Sequence, residues 1–333
     1  MDKLVIDLDS GVTNIYRLGS GVVLSEPTVV AVSSDGKNTL KAVGHEAKKL
    51  IGKTAENTKI VFPVFEGEIV NENACVSMLS HFFEKINVKS RIFGNEAIVS
   101  IPCGASAKTI EKYSNVVKSA GISKVNFIET PLLSAFSLNL PLTESAPCFI
   151  IDLGGGTTNV SAVTKEGVIA GLSVNFGANK ISTDIIDFVA EYFSLQIGLL
   201  SAERLKNEIG SLVDNDGLST VINGRDLKTG VPRSCSIKAM DILPAVKIYY
   251  DKIAEIANAT LVKLPPEVSA EIRRSGIFVT GVGAKIYGLA NYYAEKFGMQ
   301  INVHDKPEYS VVLGGGAVIS DKELVKKISL KIN

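Results

Sequence analysis

The sequence lacks the residue patterns that mark several common classes of protein. Its four cysteines include no CxxC pair, which favours reduced, mostly buried thiols over disulfides or a cysteine metal site. The three histidines show no metal-ligand spacing, and His81 lies among apolar residues that predict a packed helix. Lys and Arg together number 35, as do Asp and Glu, so the net charge is zero. Without a basic excess, we do not expect nucleic acid as a partner.

Long apolar runs are also missing. No stretch approaches the roughly 18 apolar residues that a membrane-spanning helix requires. The apolar run near the N-terminus is too short for a signal peptide. We therefore expect a cytoplasmic protein. The length of 333 residues and the hydrophobic share of 46% predict about two domains with sizeable cores.

Strand and helix patterns alternate along the chain, which predicts an α/β fold. Predicted strands cover residues 4–9, 15–17, 21–32, 96–101, 125–129, 148–153, 159–163, 167–174 and 277–280. Apolar residues at helical spacing predict helices over residues 71–86, 106–120, 181–193, 201–209 and 241–261. Another helix is expected to begin near Pro131, and the glycines at 314–316 predict a turn.

Two segments, one in each half of the chain, resemble each other. LVIDLDSGVTNIY (4–16) and FIIDLGGGTTNVS (149–161) each contain an apolar strand that ends in an acid, a turn with hydroxyls and glycine, and a second strand. One such turn alone is usually a tight hairpin. Two copies with matching acids, Asp7 and Asp152, indicate a duplicated unit. They predict two related domains that face each other across a cleft.

These two turns carry the residue types that bind a phosphate chain. Glycine lets a backbone approach phosphate and direct its N–H groups at the oxygens, and hydroxyls add further donors. The carboxylates of Asp7 and Asp152 would repel phosphate unless a cation such as Mg²⁺ lay between them. The lysine P-loop GxxxxGK[ST] and the dinucleotide pattern GxGxxG are both absent.

The turns at 7–13 and 152–160 resemble the two phosphate loops of the actin, chaperone and sugar-kinase superfamily. GVGAKIYGL (281–289) resembles its adenosine loop, and AERLKNEIGS (202–211) resembles the helix that reaches adenine and ribose. Four further segments resemble the bacterial actins of the MreB/Mbl cell-shape family in order and spacing: LSEPTVVAV (24–32), AVGHEAKKLIGKT (42–54), IETPLLSAFSLNLPLTE (128–144) and LPPEVSAEI (264–272). The resemblance covers nearly the whole chain.

The resemblance implies an actin-like fold, α/β in class, with two duplicated domains and four subdomains around a nucleotide cleft. The first domain would cover residues 1–142, with a small subdomain at about 31–69. The second would cover residues 143–311, with a small subdomain at about 181–252, and residues 312–333 would return to the first. ATP and Mg²⁺ would bind between the domains. The protein would be a weak ATPase whose activity is coupled to polymerisation with copies of itself.

The resemblance also implies roles for individual residues. Asp7 and Asp152 would act on Mg²⁺ through its waters, and Glu129 would orient the attacking water. Glu203 and Lys206 would contact ribose and adenine, although their residue types alone predict a surface ion pair. The expected nucleotide-binding residues are Ser10, Gly11, Thr13, Gly154, Gly155, Gly156, Thr157, Thr158, Gly177, Glu203, Lys206, Gly281, Gly283 and Ala284.

The nucleotide loops depart from the family pattern at several positions. Asp9 and Val282 stand where the family usually has glycine, Gly177-Ala178-Asn179 replaces a Gly-Gly-Asp segment, and Asn159 replaces an acid. An extra acid at Asp9 would repel the phosphates or strengthen the binding of Mg²⁺. Because Glu129 is present, we still expect hydrolysis, at a slow rate.

A polar loop, KSRIFGN (89–95), contains two large apolar residues, Ile92 and Phe93. They would either fold back onto the core or insert into an anionic membrane surface, as the matching loop of the family does. The resemblance therefore implies a peripheral filament on the inner face of the cell membrane, with membrane proteins of the cell-shape system as partners. The alternatives are a non-polymerising ATPase of the same superfamily and a filament that barely hydrolyses ATP.

Overall fold

The computed structural model describes residues 2–36, 39–88, 94–138, 146–214 and 216–331, and strands and helices alternate in both halves. The expected α/β class is confirmed. The elements of the first half are β1 Lys3–Leu8, β2 Val12–Arg17, β3 Gly21–Pro27, β4 Val30–Ser33, β5 Leu40–Val43, α1 His45–Lys49, β6 Thr58–Val61, β7 Val64–Phe65, β8 Glu68–Ile69, α2 Glu72–Lys85, β9 Glu96–Ile101, α3 Ala107–Ser119, β10 Lys124–Glu129 and α4 Thr130–Phe136.

The second half repeats much of this arrangement. Its elements are β11 Cys148–Leu153, β12 Thr158–Thr164, β13 Gly167–Val174, α5 Asn179–Phe193, β14 Leu195–Gln196, α6 Leu199–Ile209, β15 Ser219–Asp226, β16 Pro232–Lys238, α7 Ala239–Leu261, α8 Pro266–Ser275, β17 Ile277–Thr280, α9 Leu289–Phe297, β18 Ile301–Val303, α10 Ser310–Val318 and α11 Lys322–Ile328. Short 3₁₀ helices span Val282–Lys285 and Pro307–Tyr309.

Two five-stranded sheets with the same topology form the centres of the two halves. Their strand orders are β10-β9-β1-β2-β3 and β18-β17-β11-β12-β13. In each sheet the first strand pairs antiparallel with the next strand and parallel with a later one. The hairpin register also repeats, because Asp7 is opposite Asn14 and Asp152 is opposite Asn159. Each half therefore has, next to the last residue of a central strand, an acid paired with an asparagine of the neighbouring strand.

Local signals explain where several helices begin. The side chain of Asn71 accepts a hydrogen bond from the Ala74 N–H at 3.0 Å, and this caps α2. Ser106 caps α3 in the same way. Pro131 lies in the first turn of α4, where a missing N–H costs nothing. These caps lie where the sequence predicted helix starts.

The structure corrects the prediction of a glycine-rich turn at residues 314–316. These glycines lie inside α10, which packs against α4 and the first sheet. A Cβ at Gly314 would lie 1.7 Å from the Leu133 carbonyl oxygen, and one at Gly315 would lie 2.4 Å from Val5 Cγ1. The glycines are there because they allow the helix to approach its neighbours closely, not because the backbone turns.

A second correction concerns the single strand predicted over residues 21–32. The structure has two strands, because β3 ends at Pro27 and β4 begins at Val30 in a different, three-stranded sheet with β5 and β6. Proline cannot donate to a strand ladder. The next N–H, that of Thr28, donates instead to the Gly11 carbonyl at 3.1 Å.

The apolar cores follow the same division of the chain. One buried cluster fills the first half, a second fills the second half, and a third lies where the halves meet. The third includes Val5 from the first sheet and Ile150 from the second, with apolar residues of α4 and α10 between them. Near the end of the described chain, the Leu330 N–H donates to the Phe127 carbonyl at 2.8 Å. The C-terminal residues therefore lie against the first half.

Candidate functional site

The turn between β1 and β2 and the turn between β11 and β12 lie face to face. The Asp9 carboxylate accepts hydrogen bonds from the N–H groups of Gly155, at 2.7 Å, and Gly156, at 3.1 Å. A Cβ at Gly155 would lie 2.6 Å from Asp9 Oδ2, so a side chain there would prevent the approach. Ser10 Oγ holds the first turn from the other side, by accepting from the Gly67 N–H at 3.3 Å.

Asp7 and Asp152, the two matched acids, are each bound by a neighbouring hydroxyl. Asp7 accepts from Ser100 Oγ at 2.7 Å, and Asp152 accepts from Thr280 Oγ1 at 2.8 Å. Burial, together with the neighbouring charge of Asp9, raises the pKa of Asp7 to about 7. Burial likewise raises the pKa of Asp152 to about 6. A nearby cation would favour the charged form of both acids.

A cavity of about 40 Å³ lies between these acids, and Asn14 is part of its lining. The Asn14 Oδ1 atom is buried, with no hydrogen-bond partner among the described residues. Two carboxylates and an amide oxygen suit Mg²⁺, which prefers oxygen ligands and retains several waters. Within the described ranges, no group of three or more His, Cys, Asp or Glu residues could hold a metal alone. An ion here would therefore take water or phosphate oxygens as further ligands.

Glu129, the expected water-orienting residue, lies beside this cavity at the end of β10. Its Oε1 accepts a hydrogen bond from the Gly104 N–H at 3.0 Å. The adjacent Thr130 lines the cavity, as does Pro102 from the loop that carries Gly104. The carboxylate is thus fixed by the loop after β9 and does not itself line the cavity.

A larger cleft of about 930 Å³ adjoins the small cavity and is lined by both halves of the chain. This volume suits a ligand of nucleotide size. Of the residues expected to bind nucleotide, the larger cleft is lined by Ser10, Gly11, Glu203, Lys206 and Gly283. The smaller cavity is lined by Gly154, Thr157 and Gly281.

Glu203 and Lys206 both face the larger cleft from α6, but they have different partners. Glu203 Oε2 lies 2.7 Å from Lys48 Nζ, an ion pair that joins α6 to α1 across the cleft. Lys206 Nζ donates to the Ala178 carbonyl at 3.3 Å, and burial lowers its pKa. Lys48 was not predicted as a site residue. Its partner Glu203 is distant along the chain, so the sequence gives no sign that the two residues meet.

The structure does not bring every expected residue to the two cavities. The hydroxyl of Thr13 lies 2.9 Å from that of Thr28, and the hydroxyl of Thr158 lies 2.8 Å from that of Tyr249. Both threonines lie on the opposite face of their strands, since successive residues of a strand alternate. Gly177 supports the second turn, where a Cβ would lie 2.4 Å from the Gly155 carbonyl oxygen. Ala284 is buried in the core of the second half.

Two asparagines were missed as site residues. Asn14 lines both cavities and donates to the Glu308 carbonyl at 3.1 Å. Asn159 donates to Asp152 at 3.3 Å and accepts from the Cys103 N–H at 3.0 Å, so it ties the second hairpin to the loop after β9. A signal was available, because both halves repeat an acid followed seven residues later by asparagine.

The expected membrane-contact residues, Ile92 and Phe93, lie outside the described residues. Within the described ranges, none of the helices combines the length and the apolar character needed to cross a membrane. The cysteines are free thiols, as expected, and three of them, Cys75, Cys103 and Cys148, are buried.

Two sheets of identical topology, with facing hairpin turns beside a nucleotide-sized cleft, define an actin-like fold. The crystal structure of MreB5 of Spiroplasma citri bound to ADP matches with a TM-score of 0.91 and 27% identity, over 98% of each chain. A MamK double helical filament, 18% identical, matches in fold with a TM-score of 0.80, over 96% of this chain and 99% of that chain. The expected actin-like fold is confirmed.

Sequence comparison identifies the family. Residues 1–327 match the MreB/Mbl protein family. The chain is 33% identical to the cell shape-determining protein MreB of Escherichia coli (strain K12), over 96% of this chain and 93% of that protein. It is 27% identical to the cell shape-determining protein Mbl of Bacillus subtilis (strain 168), over 98% of each. The chain belongs to the MreB/Mbl family of bacterial actins, as its sequence segments predicted.

Proposed function

We propose that this chain is an ATP-dependent, filament-forming bacterial actin that binds and hydrolyses Mg-ATP between its two halves. One observation carries the proposal: Asp7 and Asp152 occupy matched strand positions beside two facing turns, next to a cleft of about 930 Å³. The relatives support it. MreB and Mbl are named cell shape-determining proteins, and MreB5 of Spiroplasma citri is known bound to ADP and to AMPPNP.

In this proposal the chain binds the nucleotide along the line of the two cavities. The turns at 9–11 and 154–157 would hold the phosphates with backbone N–H groups, which can approach closely where glycine is present. Glu203 and Lys206 would contact the ribose and adenine, and Gly283 would leave room for the base. The Lys48–Glu203 ion pair would have to adjust, since both residues line the same cleft.

Asp7, Asp152 and the Asn14 amide oxygen would hold Mg²⁺, in part through its waters. When bound, the ion supplies positive charge that neutralises the phosphates. Burial raises the pKa of both Asp7 and Asp152, and a bound cation would favour their charged forms. The buried Asn14 oxygen without a partner also supports a ligand here.

Glu129 would orient the water that attacks the terminal phosphate. Phosphoryl transfer depends mainly on positioning and on charge neutralisation, so a fixed carboxylate is suited to the task. The Gly104 N–H that binds Glu129 would set its position. Because Glu129 already has this partner and Asp9 lies against the second turn, we expect slow hydrolysis. A filament that binds ATP but barely hydrolyses it is the second candidate.

The proposal extends to domains, filaments and the membrane. Residues 1–142 and 143–311 would form two domains with four subdomains, and residues 312–333 would belong to the first. Subunits would associate head to tail in contacts that do not close, which produces an open filament. Ile92 and Phe93 would bind an anionic membrane on the inner face of the cell. Membrane proteins of the cell-shape system would be partners there.

Sedimentation tests this proposal. Purified protein is centrifuged with Mg-ATP or with ATP and EDTA, in the presence and absence of anionic liposomes. We expect the wild type to pellet with Mg-ATP, and an Ile92→Ser/Phe93→Ser variant to lose only the liposome-bound fraction. Glu129→Ala should still pellet but release phosphate about a hundredfold more slowly, as for loss of a positioned acid–base group. A wild type that stays in the supernatant in every condition would exclude the filament and favour the non-polymerising ATPase.

A further inference from the structure

The first turn carries an acid that the proposed chemistry does not use. Asp9 directs its two carboxylate oxygens at the N–H groups of Gly155 and Gly156, at 2.7 Å and 3.1 Å. Burial raises the pKa of Asp9, and the N–H groups of Gly156, Ser10, Gly155 and Gly11 oppose that rise. Backbone N–H groups from both turns therefore converge on a single carboxylate.

This arrangement resembles an anion-binding site that is occupied by a carboxylate of the same chain. Backbone N–H groups that converge from tight turns form a concavity that binds phosphate or carboxylate. The glycines make the approach possible, because a Cβ at Gly156 would lie 2.1 Å from Ser10 Oγ and one at Gly155 would lie 2.6 Å from Asp9 Oδ2. Two oxygens of a phosphate group would accept from the same N–H groups if the Asp9 carboxylate were not bound to them.

Asp9 leaves the rest of the nucleotide cleft open. Gly11, Glu203 and Lys206 line the larger cleft, whereas Gly155 and Gly156 line neither cavity. A nucleotide whose phosphate chain stops short of the Gly155 and Gly156 N–H groups can bind with Asp9 in place. A phosphate that reaches them must displace Asp9, and the two negative charges repel each other at close range.

We propose that Asp9 is a specificity-determining residue that competes with the terminal phosphate of ATP for the Gly155 and Gly156 N–H groups. It thereby shifts the preference of the cleft from nucleoside triphosphate towards nucleoside diphosphate. The inference rests on the nucleotide binding proposed above. Glycine, which the sequence pattern of the family has at this position, offers no carboxylate to compete.

Equilibrium binding of Mg-ATP and Mg-ADP to four proteins tests the competition. They are the wild type, Asp9→Gly, Asp9→Asn and Glu111→Gln, the last of which removes a carboxylate from the exposed face of α3. Asp9→Gly should bind ATP on the order of tenfold more tightly, since charge-assisted hydrogen bonds no longer have to be broken. Its affinity for ADP should change by no more than about twofold. Asp9→Asn keeps the size but loses the charge and should be intermediate, and Glu111→Gln should match the wild type.

The amide protons of Gly155 and Gly156 provide a readout that needs no nucleotide. In NMR spectra of the ligand-free protein, hydrogen bonding to a carboxylate moves an amide proton downfield. We expect both signals to move upfield in Asp9→Asn and Asp9→Gly, while signals elsewhere stay in place and show that the variants are folded. Unchanged Gly155 and Gly156 signals would mean that Asp9 does not occupy the site, and would overturn the inference.

The binding results separate this inference from the proposed function. If Asp9→Gly and the wild type have the same ratio of ATP to ADP affinity, the competition is refuted while nucleotide binding stands. Weaker ATP binding by Asp9→Gly would also refute it. If none of the folded proteins binds either nucleotide, the proposed function fails and the competition fails with it.

Discussion

The two hairpin turns share a scaffold but offer opposite hydrogen-bonding groups. Aligned on their acids, DLDSGVTN (7–14) and DLGGGTTN (152–159) have the same length and the same strand register. The first turn presents the Asp9 carboxylate, and the second presents the Gly155 and Gly156 N–H groups that bind it. The duplicated fold thus fixes where the acids and asparagines lie, while a few turn residues decide what each turn can bind.

We expect the largest difference between the halves in how the contributions of Asp7 and Asp152 to folding stability depend on pH. Burial raises the pKa of Asp7 to about 7 and that of Asp152 to about 6, from 3.8. An acid with a raised pKa holds its proton more tightly in the folded state. The stability it contributes is therefore present at low pH and is lost as pH rises through the folded-state pKa. For Asp7 this loss is up to roughly 4 kcal/mol in the absence of a cation.

Denaturant unfolding of the ligand-free protein at several pH values checks this expectation. The free energy of unfolding of Asp7→Asn, relative to the wild type, should rise with pH. The same difference for Asp152→Asn should rise by a smaller amount and should stop rising at a lower pH. Each comparison subtracts the titration of groups that do not interact with the substituted acid, such as Glu26 and Glu96, whose pKa values are lowered. Differences that do not vary with pH would show that the acids are not buried as described.

The next largest expected effect is a difference in stability between alanine variants of one glycine from each turn. Gly156→Ala would place a Cβ 2.1 Å from Ser10 Oγ, whereas the nearest atoms to a Cβ at Gly11 are 3.4 Å away on Asn179. We expect Gly156→Ala to lower the free energy of unfolding by about 1–3 kcal/mol through overpacking. Gly11→Ala should change it by less than about 0.5 kcal/mol. Urea unfolding of both variants measures this, and equal losses would contradict the facing arrangement of the turns.

The paired asparagines provide a smaller contrast. Asn159→Ala would leave the buried Cys103 N–H without its acceptor, at a cost of about 1–3 kcal/mol in unfolding free energy. Asn14→Ala should cost about 1–2 kcal/mol, because it removes hydrogen bonds to the Glu308 carbonyl and to the Asp7 carboxylate. Its effect should instead be on the Mg²⁺ dependence of ATP binding. If Asn159→Ala left that dependence unchanged but Asn14→Ala abolished it, the two asparagines would have different roles despite their matched positions.

The smallest effect is expected at the ion pair across the cleft. Lys48 and Glu203 are 36% and 25% exposed, so water screens their attraction. Lys48→Ala should lower the free energy of unfolding by under about 1 kcal/mol. Adding salt should reduce the difference further. A loss of several kcal/mol would show that the pair holds the two halves together.

The parts of the fold that were predictable are those that neighbouring residues encode. Short apolar runs that end in an acid, and the repeat of that acid–turn–strand segment, were enough to predict β1, β11 and two related halves. The turn predicted at Gly314–Gly316 was wrong because close packing of α10 against Leu133 and Val5 decides that conformation. The break after Pro27 could have been predicted from the proline itself, because it has no N–H to donate to a strand ladder.

The site could be predicted in residue type but less well in orientation. Strand alternation places Thr13 and Thr158 away from the cavities, and the hairpin register places Asn14 opposite Asp7. Both facts follow from counting residues along the strand. Counting residues could not predict the Lys48–Glu203 pair or the contact of Asp9 with the second turn. Both contacts depend on how the two halves meet.

The central claim is that Asp7 and Asp152 jointly hold the cation of a bound nucleotide. Equilibrium binding of ATP to the wild type, Asp7→Asn and Asp152→Asn, with Mg²⁺ and with EDTA, tests it most directly. We expect one ATP per chain, with affinity lowered by about 10–100-fold by EDTA or by either substitution, as for groups that support a metal through its waters. ATP binding that is unaffected by EDTA and by both substitutions would contradict the claim.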